Sequence, residues 1–327
     1  TTGVANPYLL LEPSRTNLIE QSEYFNSSYW IKSGSPTVSV SDNAGISPEG
    51  VSNATRFVAA SAQQSTRLYT SVTWTAVPYT LSLYVKNNGG TNTNLRFSYY
   101  DGTGQYFSPT FTLTDEWQRI EYTFTPTASS GGFWIVNTPT GGLNLDLLAF
   151  GAQLEIGSYP TSYIPTYSVS ATRAQDTCNK TNASGEIGQT EGTLFTEVDL
   201  NHTSVTNNYI LQVSESSANR ILLYKDATNK IGCFALIGST AIYYKLTSGA
   251  FTGINKIAFA YKSGDFAFYV NGTQIGTSTA TFSTSATFDR LDIDSNIVSE
   301  NGFFNYNQVA LYKERLTNAE LATLTTI

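Results

Sequence analysis

The chain has 327 residues, 18 Lys and Arg against 25 Asp and Glu, a net charge of -7, one histidine and no methionine. At roughly 150 residues per domain it is about two domains long, each large enough to bury roughly 70% of its unfolded surface. The acidic balance and the lack of any Lys/Arg cluster speak against a nucleic-acid partner, and the longest apolar runs, such as 8–11 and 143–150, are far too short to insert in a membrane.

Only 13% of residues are charged, whereas Tyr and Phe number 21 and 18. With Thr, Ser, Asn and Gly filling the rest, the composition is that of an all-β protein with neutral, hydroxyl-rich faces. No signal peptide is visible, and without Met the chain is expected to be a processed product or a piece of something longer.

In chain order, residues 71–75 alternate before Val77-Pro78, and 79–86 alternate until Asn87-Asn88-Gly89-Gly90. Residues 95–100 and 106–113 flank the hairpin signal Asp101-Gly102-Thr103-Gly104. Strands follow at 118–124 and 133–136. Short strands at this spacing predict a two-sheet jelly roll over 1–165. Residues 166–184 read as a stiff linker, with Tyr159-Pro160 and Ile164-Pro165 holding the chain extended just before it.

A second all-β unit is expected over 185–327, with strands at 193–200, 208–214, 220–225, 230–237, 241–246, 255–261, 265–270 and 308–312. Asn271-Gly272 marks a two-residue hairpin turn. Thr317 and Glu320 form a capping box that opens one short C-terminal helix. Two cysteines, Cys178 and Cys233, make no disulfide framework. Buried or partly buried thiols are expected, with a single bridge as the alternative.

Three ordered motifs carry a resemblance for the first half: Thr114-Asp115-Glu116-Trp117-Gln118-Arg119, Gly151-Ala152-Gln153-Leu154-Glu155-Ile156-Gly157 and Pro160-Thr161-Ser162-Tyr163-Ile164-Pro165-Thr166. Together with Leu9-Leu10-Leu11-Glu12-Pro13-Ser14-Arg15-Thr16-Asn17-Leu18, they resemble the carbohydrate-binding-type jelly rolls of bacteriophage tail fibres and tailspikes. The resemblance implies that the three motifs respectively open a strand, close the sandwich and leave it as an extended linker, with the 9–18 stretch as the entry. The second half resembles the concanavalin A-like, laminin-G-like sandwich through Phe266-Ala267-Phe268-Tyr269-Val270-Asn271-Gly272 and the run from Val309 to Leu321. The expected fold is therefore two tandem β-sandwich (jelly-roll) domains.

Sugar binding needs an aromatic platform and neutral hydrogen-bonding groups. Trp30 and Trp117 read as packing residues. Trp74 and Trp134 are the freer tryptophans, and Tyr99, Tyr100 and Tyr106 surround the 101–104 hairpin. Tyr243 and Tyr244, with Tyr209, are the counterparts in the second half. Ordinary cross-strand packing is the competing account of each ring.

Glu197, Asp199 and Asn201 alternate onto one strand face, yet the third carboxylate of a Glu-x-Asp-x-Glu glycosidase strand is missing. His202 stands alone, so neither histidine acid/base chemistry nor a zinc site is indicated. Relatives of the first module hold structural Ca²⁺ through paired Asp residues in the final strand, where this chain has Phe150-Gly151-Ala152-Gln153. Asp292, Asp294 and Asn296 form a weak calcium candidate elsewhere.

These readings combine into a non-catalytic phage virion component that binds host-surface polysaccharide. By resemblance it is a homotrimer assembled with other virion proteins and carried on the particle surface. A purely structural spacer and a polysaccharide-degrading glycanase or lyase are the alternatives.

Overall fold

The computed structural model describes residues 9–63, 66–139, 141–201, 207–283, 285–293 and 304–327. The regular structure of the described residues is antiparallel β throughout, apart from one short C-terminal helix. They divide into two compact units. One is Ser14–Ala174; the other joins residues 9–13 to Gln175–Ile327.

The Ser14–Ala174 unit is a sandwich of two five-stranded sheets. One runs Gln118–Phe124, Tyr79–Asn87, Leu143–Ile156, Ala54–Ala62, Ser39–Gly45; the other runs Gln105–Phe107, Ser98–Tyr100, Ser130–Asn137, Arg67–Thr73, Ile31–Ser33. Alternation sends Leu81, Leu83, Leu147 and Leu154 of the first sheet against Leu68, Phe133 and Ile135 of the second, all fully buried. Each such side chain contributes about 1.5–3 kcal/mol by leaving water.

The opposite face of the first sheet carries Thr80, Ser82, Gln153 and Glu155, which are buried as completely as the leucines. They are polar because an irregular segment lies over them and its backbone needs partners. Gln153 Nε2 donates to the carbonyls of Thr161 (3.2 Å) and Ser162 (3.3 Å), and Gln153 Oε1 accepts from Ile164 N (2.6 Å). Glu155 accepts from Thr161 N (2.9 Å), Thr161 Oγ1 (2.5 Å) and Gln153 Nε2 (2.7 Å). Arg119 Nη2 adds a bond to the Thr161 carbonyl (2.7 Å), so all three sequence motifs of this half meet at Thr161.

The expected exit linker is therefore part of the unit. Residues 166–174 stay with it as well, because Ala171–Arg173 pairs with Arg15–Asn17. The entry differs too. Leu9–Leu10 pairs with Tyr306 and Asn305 at an open strand edge of the other unit, so the first sandwich starts near Ser14.

In the second unit one six-stranded sheet runs Leu9–Leu10, Asn305–Tyr312, Glu191–Asp199, Ile254–Lys262, Phe266–Val270, Thr273–Ser278. The other runs Asn179–Lys180, Arg290–Asp292, Asn208–Ser216, Asn219–Lys225, Ile231–Ile237, Thr240–Leu246. Leu194, Val198, Phe259 and Phe268 meet Ile210, Leu223 and Cys233 between them. Residues 176–184, expected as linker, supply the Asn179–Lys180 edge strand.

Asn271 (φ 48°) and Gly272 (φ 74°) turn the predicted hairpin, both left-handed as such a turn requires. Thr317 and Glu320 close the predicted capping box of helix Asn318–Thr325, whose Leu321 packs against Phe195 and Tyr269. Neither cysteine is in a disulfide, and burial pushes the Cys233 thiol up.

Replacing Gln153 by Leu leaves Ile164 N and part of Glu155 without partners in a buried place. The expected loss is about 2–4 kcal/mol, read as a lower urea midpoint with an unchanged m-value. A midpoint within error of wild type would show that the clamp does not hold the unit.

Candidate functional site

In the Ser14–Ala174 unit, the sheet that contains Ser98–Tyr100, Ser130–Asn137 and Arg67–Thr73 turns one face to the core and the other to solvent. Register decides which rings go where. Phe133 sits between Thr70 and Tyr99, and all three are buried. One residue along, Trp134 lies opposite Tyr69 and Ser98, on the outer face. Ile31, Tyr69, Trp134, Ser98 and Phe107 then form one row across five strands, with Ile31 and Phe107 exposed.

The next row, Gln105, Tyr100, Gly132 and Ser71, has a gap where Gly132 has no side chain. A Cβ at Gly132 would stand 2.6 Å from the Thr70 carbonyl, and one at Gly131 would overlap the Tyr100 carbonyl. The glycines thus permit close strand packing and leave a trough of about 560 Å³ lined by Tyr69, Ser71, Thr73, Tyr100, Ser130 and Trp134.

Trp134 is held by two neighbours: Tyr69 packs at 5.4 Å between ring centroids with planes 31° apart, and the Arg67 guanidinium lies over its ring at 5.7 Å. Its indole Nε1–H is buried without a hydrogen-bond partner. The trough therefore combines aromatic walls from Tyr69, Tyr100 and Trp134 with hydroxyls from Ser71, Thr73 and Ser130, and no ionised side chain is among its lining residues.

Trp74, expected on an exposed face, is a core residue at 1% exposure. It follows the last residue of its strand, where the chain turns inward, and packs edge-on against Tyr79 (5.0 Å) and Phe124 (5.4 Å). Its indole Nε1–H donates to the Tyr100 carbonyl at 2.8 Å, which fixes the strand that carries the exposed Tyr100 ring.

Tyr99 is likewise buried, stacked on Phe124 at 4.1 Å, and burial pushes its hydroxyl up to about 12. Tyr106 is exposed but lies opposite Tyr99, on the core side of the sheet edge, so it does not join Tyr100. Of the five candidates in this half, only Trp134 and Tyr100 meet at one site. Tyr69 and Ser71 complete it; Tyr69 falls before the strand predicted over 71–75 and Ser71 carries no ring to mark it, yet the alternation of Arg67, Tyr69 and Ser71 around Leu68 and Thr70 carries the signal.

The hairpin beside Tyr100 is pinned by Asp101, whose carboxylate accepts from Thr103 Oγ1 (2.6 Å), Thr127 N (3.0 Å), Thr127 Oγ1 (2.7 Å), Thr103 N (3.1 Å) and Gly104 N (3.2 Å). These bonds, the Thr103 hydroxyl foremost, hold its pKa well below the usual carboxylate range. Of the other tryptophans, Trp30 is core as expected. Trp117 is half-buried beneath Lys86 and donates to the Ile46 carbonyl.

In the second unit Tyr243 is buried against Phe259 and Phe266, which corrects its candidacy, whereas the adjacent Tyr244 is exposed. Tyr244 opens onto a cleft of about 310 Å³ with Tyr209, Tyr224, Phe234 and Arg220. Glu197 is engaged by Lys256 (3.8 Å) and Asn307 (2.9 Å), and Asp199 accepts from Asn201 N. Asp292 is paired with Arg290 (2.7 Å) and accepts from Gln212. Asp294, Asn296 and His202 lie outside the described residues. Among the described residues no three His, Cys, Asp or Glu side chains converge as a metal site would require.

No protein-family model and no curated protein matches the chain. Solved structures similar to it include the CBM40 of the Ruminococcus gnavus IT-sialidase bound to α2,3-sialyllactose, at 16% identity and a TM-score of 0.39, covering 46% of this chain and 93% of that one. A native heptameric SAP-like pentraxin from Limulus polyphemus is similar at 14% identity and a TM-score of 0.34, covering 41% of this chain and 69% of that one. The NanB sialidase from Streptococcus pneumoniae is similar at 12% identity and a TM-score of 0.37, covering 46% and 28% respectively. Likenesses this distant leave the chemistry of the site to the chain's own residues.

Two measurements check the geometry. Trp74→Ala should cost about 3–5 kcal/mol of stability as a large core ring is lost, whereas Trp134→Ala should cost about 1 kcal/mol or less; comparable losses would show that both rings are core. Asp101→Asn tests the hairpin by pH. A folded-state pKa below the unfolded value of about 3.9 stabilises the fold while the carboxyl is ionised. The wild-type advantage over Asp101→Asn should be full above about pH 4 and shrink as pH falls toward 2; an advantage that grows on acidification would contradict it.

Proposed function

We propose that this chain is a non-catalytic glycan-binding protein, and that the trough between Trp134, Tyr69 and Tyr100 takes a neutral sugar. The observation that carries this is one outward face with aromatic walls, three serine or threonine hydroxyls and no ionised side chain in its lining. A pyranose lays its C–H face on a ring while its hydroxyls exchange bonds with such neighbours. A shallow trough holds one sugar weakly, so useful strength comes from several copies presented together.

The biological setting we propose is attachment of a bacteriophage to host-surface polysaccharide, with the chain in a trimeric tail fibre or tailspike on the particle surface. Support comes from the three motifs of the first half and their resemblance to such modules. The convergence of those motifs on Thr161 gives them a shared structural purpose in this chain.

The test is a glycan array probed with the labelled chain. Retention on neutral glycans that is lost in Trp134→Ala and weakened about tenfold or more in Tyr100→Ala is the expected result. A blank array for the folded wild-type protein would leave the spacer reading in its place, and new reducing ends or unsaturated products from an incubated polysaccharide would make it an enzyme.

A further inference from the structure

The second unit carries a cleft whose chemistry differs from the neutral trough. It lies on the solvent face of the sheet that contains Asn208–Ser216, Asn219–Lys225, Ile231–Ile237 and Thr240–Leu246. Cross-strand register brings Tyr209 opposite Tyr224, Leu222 opposite Phe234, and Phe234 opposite Tyr244. Tyr224 and Tyr244 stack at 6.4 Å with planes 26° apart, and Phe234 meets Tyr244 edge-on at 6.2 Å. The rings form a floor from which Tyr244 projects at 56% exposure.

Arg220 sits in this cleft with its Cζ 5.6 Å from the Tyr209 ring centroid. Its Nε and Nη1 are both buried and have no hydrogen-bond partner; among the described residues no other arginine has two such nitrogens. Asp226, also in the lining, does not answer them. Its Oδ1 accepts from Thr228 N (2.8 Å), Thr228 Oγ1 (2.8 Å) and Lys230 N (2.9 Å), so it closes its own turn.

A guanidinium withdrawn from water with unmet N–H groups is costly unless something meets them. Nε and Nη1 stand on different edges of the planar fork, each beside Nη2, so a carboxylate would take two parallel N–H bonds from Nη2 and one of them. A sugar ring beside that carboxylate would lie on the Tyr244 and Phe234 rings.

From this geometry we propose that the cleft is a second glycan site, specific for a carboxylate-bearing sugar such as a hexuronate or a sialic acid. Arg220 grips the acid group and Tyr244 stacks under the ring. The proposal shares its ligand class with the proposed function but uses none of the residues of the Trp134 trough.

The experiment is titration of the full chain, by ligand-observed NMR, with methyl glucuronide, the methyl glycoside of N-acetylneuraminic acid, methyl glucoside and acetate. At least one acidic sugar should bind about tenfold or more tighter than methyl glucoside and than acetate. That preference should fall below about twofold in Arg220→Gln and drop severalfold in Arg220→Lys, which keeps the charge without the fork. Tyr244→Ala, at an exposed ring, should weaken the acidic sugar without disturbing the fold, and Trp134→Ala should leave its binding unchanged.

Equal binding of acidic and neutral sugars would overturn the assignment, as would acetate binding as tightly as the sugar acid or a preference that survives in folded Arg220→Gln. Loss of acidic-sugar binding in Trp134→Ala alone would place the ligand in the trough instead. A chain that binds the acidic sugar while its array shows no neutral glycan would keep this site and remove the other.

Discussion

The buried polar clamp around Thr161 is the constraint on which the first sandwich depends. Gln153 and Glu155 leave a central strand on the face away from the core, where apolar side chains would otherwise be expected under a covering layer. What covers them is irregular chain with its own N–H and C=O groups to satisfy. Asn17 extends the clamp, donating to the carbonyls of Ala152 and Ile164 and accepting from Ile19 N and Leu154 N. A buried polar network stabilises only when its members are matched, and here Gln153, Glu155 and Arg119 meet the backbone of the covering segment. The result brings the chain's entry at Arg15 and its return at Arg173 into one short antiparallel pair.

The same sandwich transmits order from core to surface through one strand. Trp74 is packed among Tyr79, Tyr99, Phe124 and Phe133, and its only polar atom reaches the Tyr100 carbonyl. Strand alternation then sends Tyr99 into that cluster and Tyr100 out beside the trough. Gly131 allows the contact, since a Cβ there would displace both the carbonyl and the indole. A rigid core residue thus sets the position of a surface ring, which lowers the ordering cost of binding at a shallow face.

How much of this was legible in the sequence follows from where period two holds. Strand Tyr79–Asn87, the Asn271-Gly272 turn and the Thr317 capping box were readable because local chemistry decides them. Ser39–Gly45 was not, because it is a half-exposed edge strand of small and polar residues with no apolar alternation to betray it. The inside-or-outside assignment of the aromatic candidates failed for several reasons: Trp74 lies one residue past its strand, and alternation around Tyr99 and Tyr100 does not say which of the two faces the core. A register irregularity between Trp134 and Val136 puts Ile135 and Val136 both inside, so parity cannot be counted across it. Another between Ala235 and Leu236 shifts the partner strand that carries Tyr243 and Tyr244. Such irregularities interrupt the two-residue alternation locally.

The few charges of the chain show how its two candidate sites came to differ. Several arginines lie over rings: Arg15 on Tyr159, Arg67 on Trp134, Arg96 on Phe107 and Arg119 on Tyr84. In such places the guanidinium braces an aromatic surface, and Arg119 also spends its Nη2 on Ser82 and Thr161. Arg67 braces Trp134 without lining the trough, whose lining stays neutral. At Arg220 the same stacking on Tyr209 occurs inside the cleft, and there the nitrogens meet no protein acceptor. One structural device, an arginine laid on a ring, thus accompanies a neutral face where the cation is outside the lining and a charged one where it is part of it. Whether each face is neutral or charged follows from that placement more than from the sandwich that carries it.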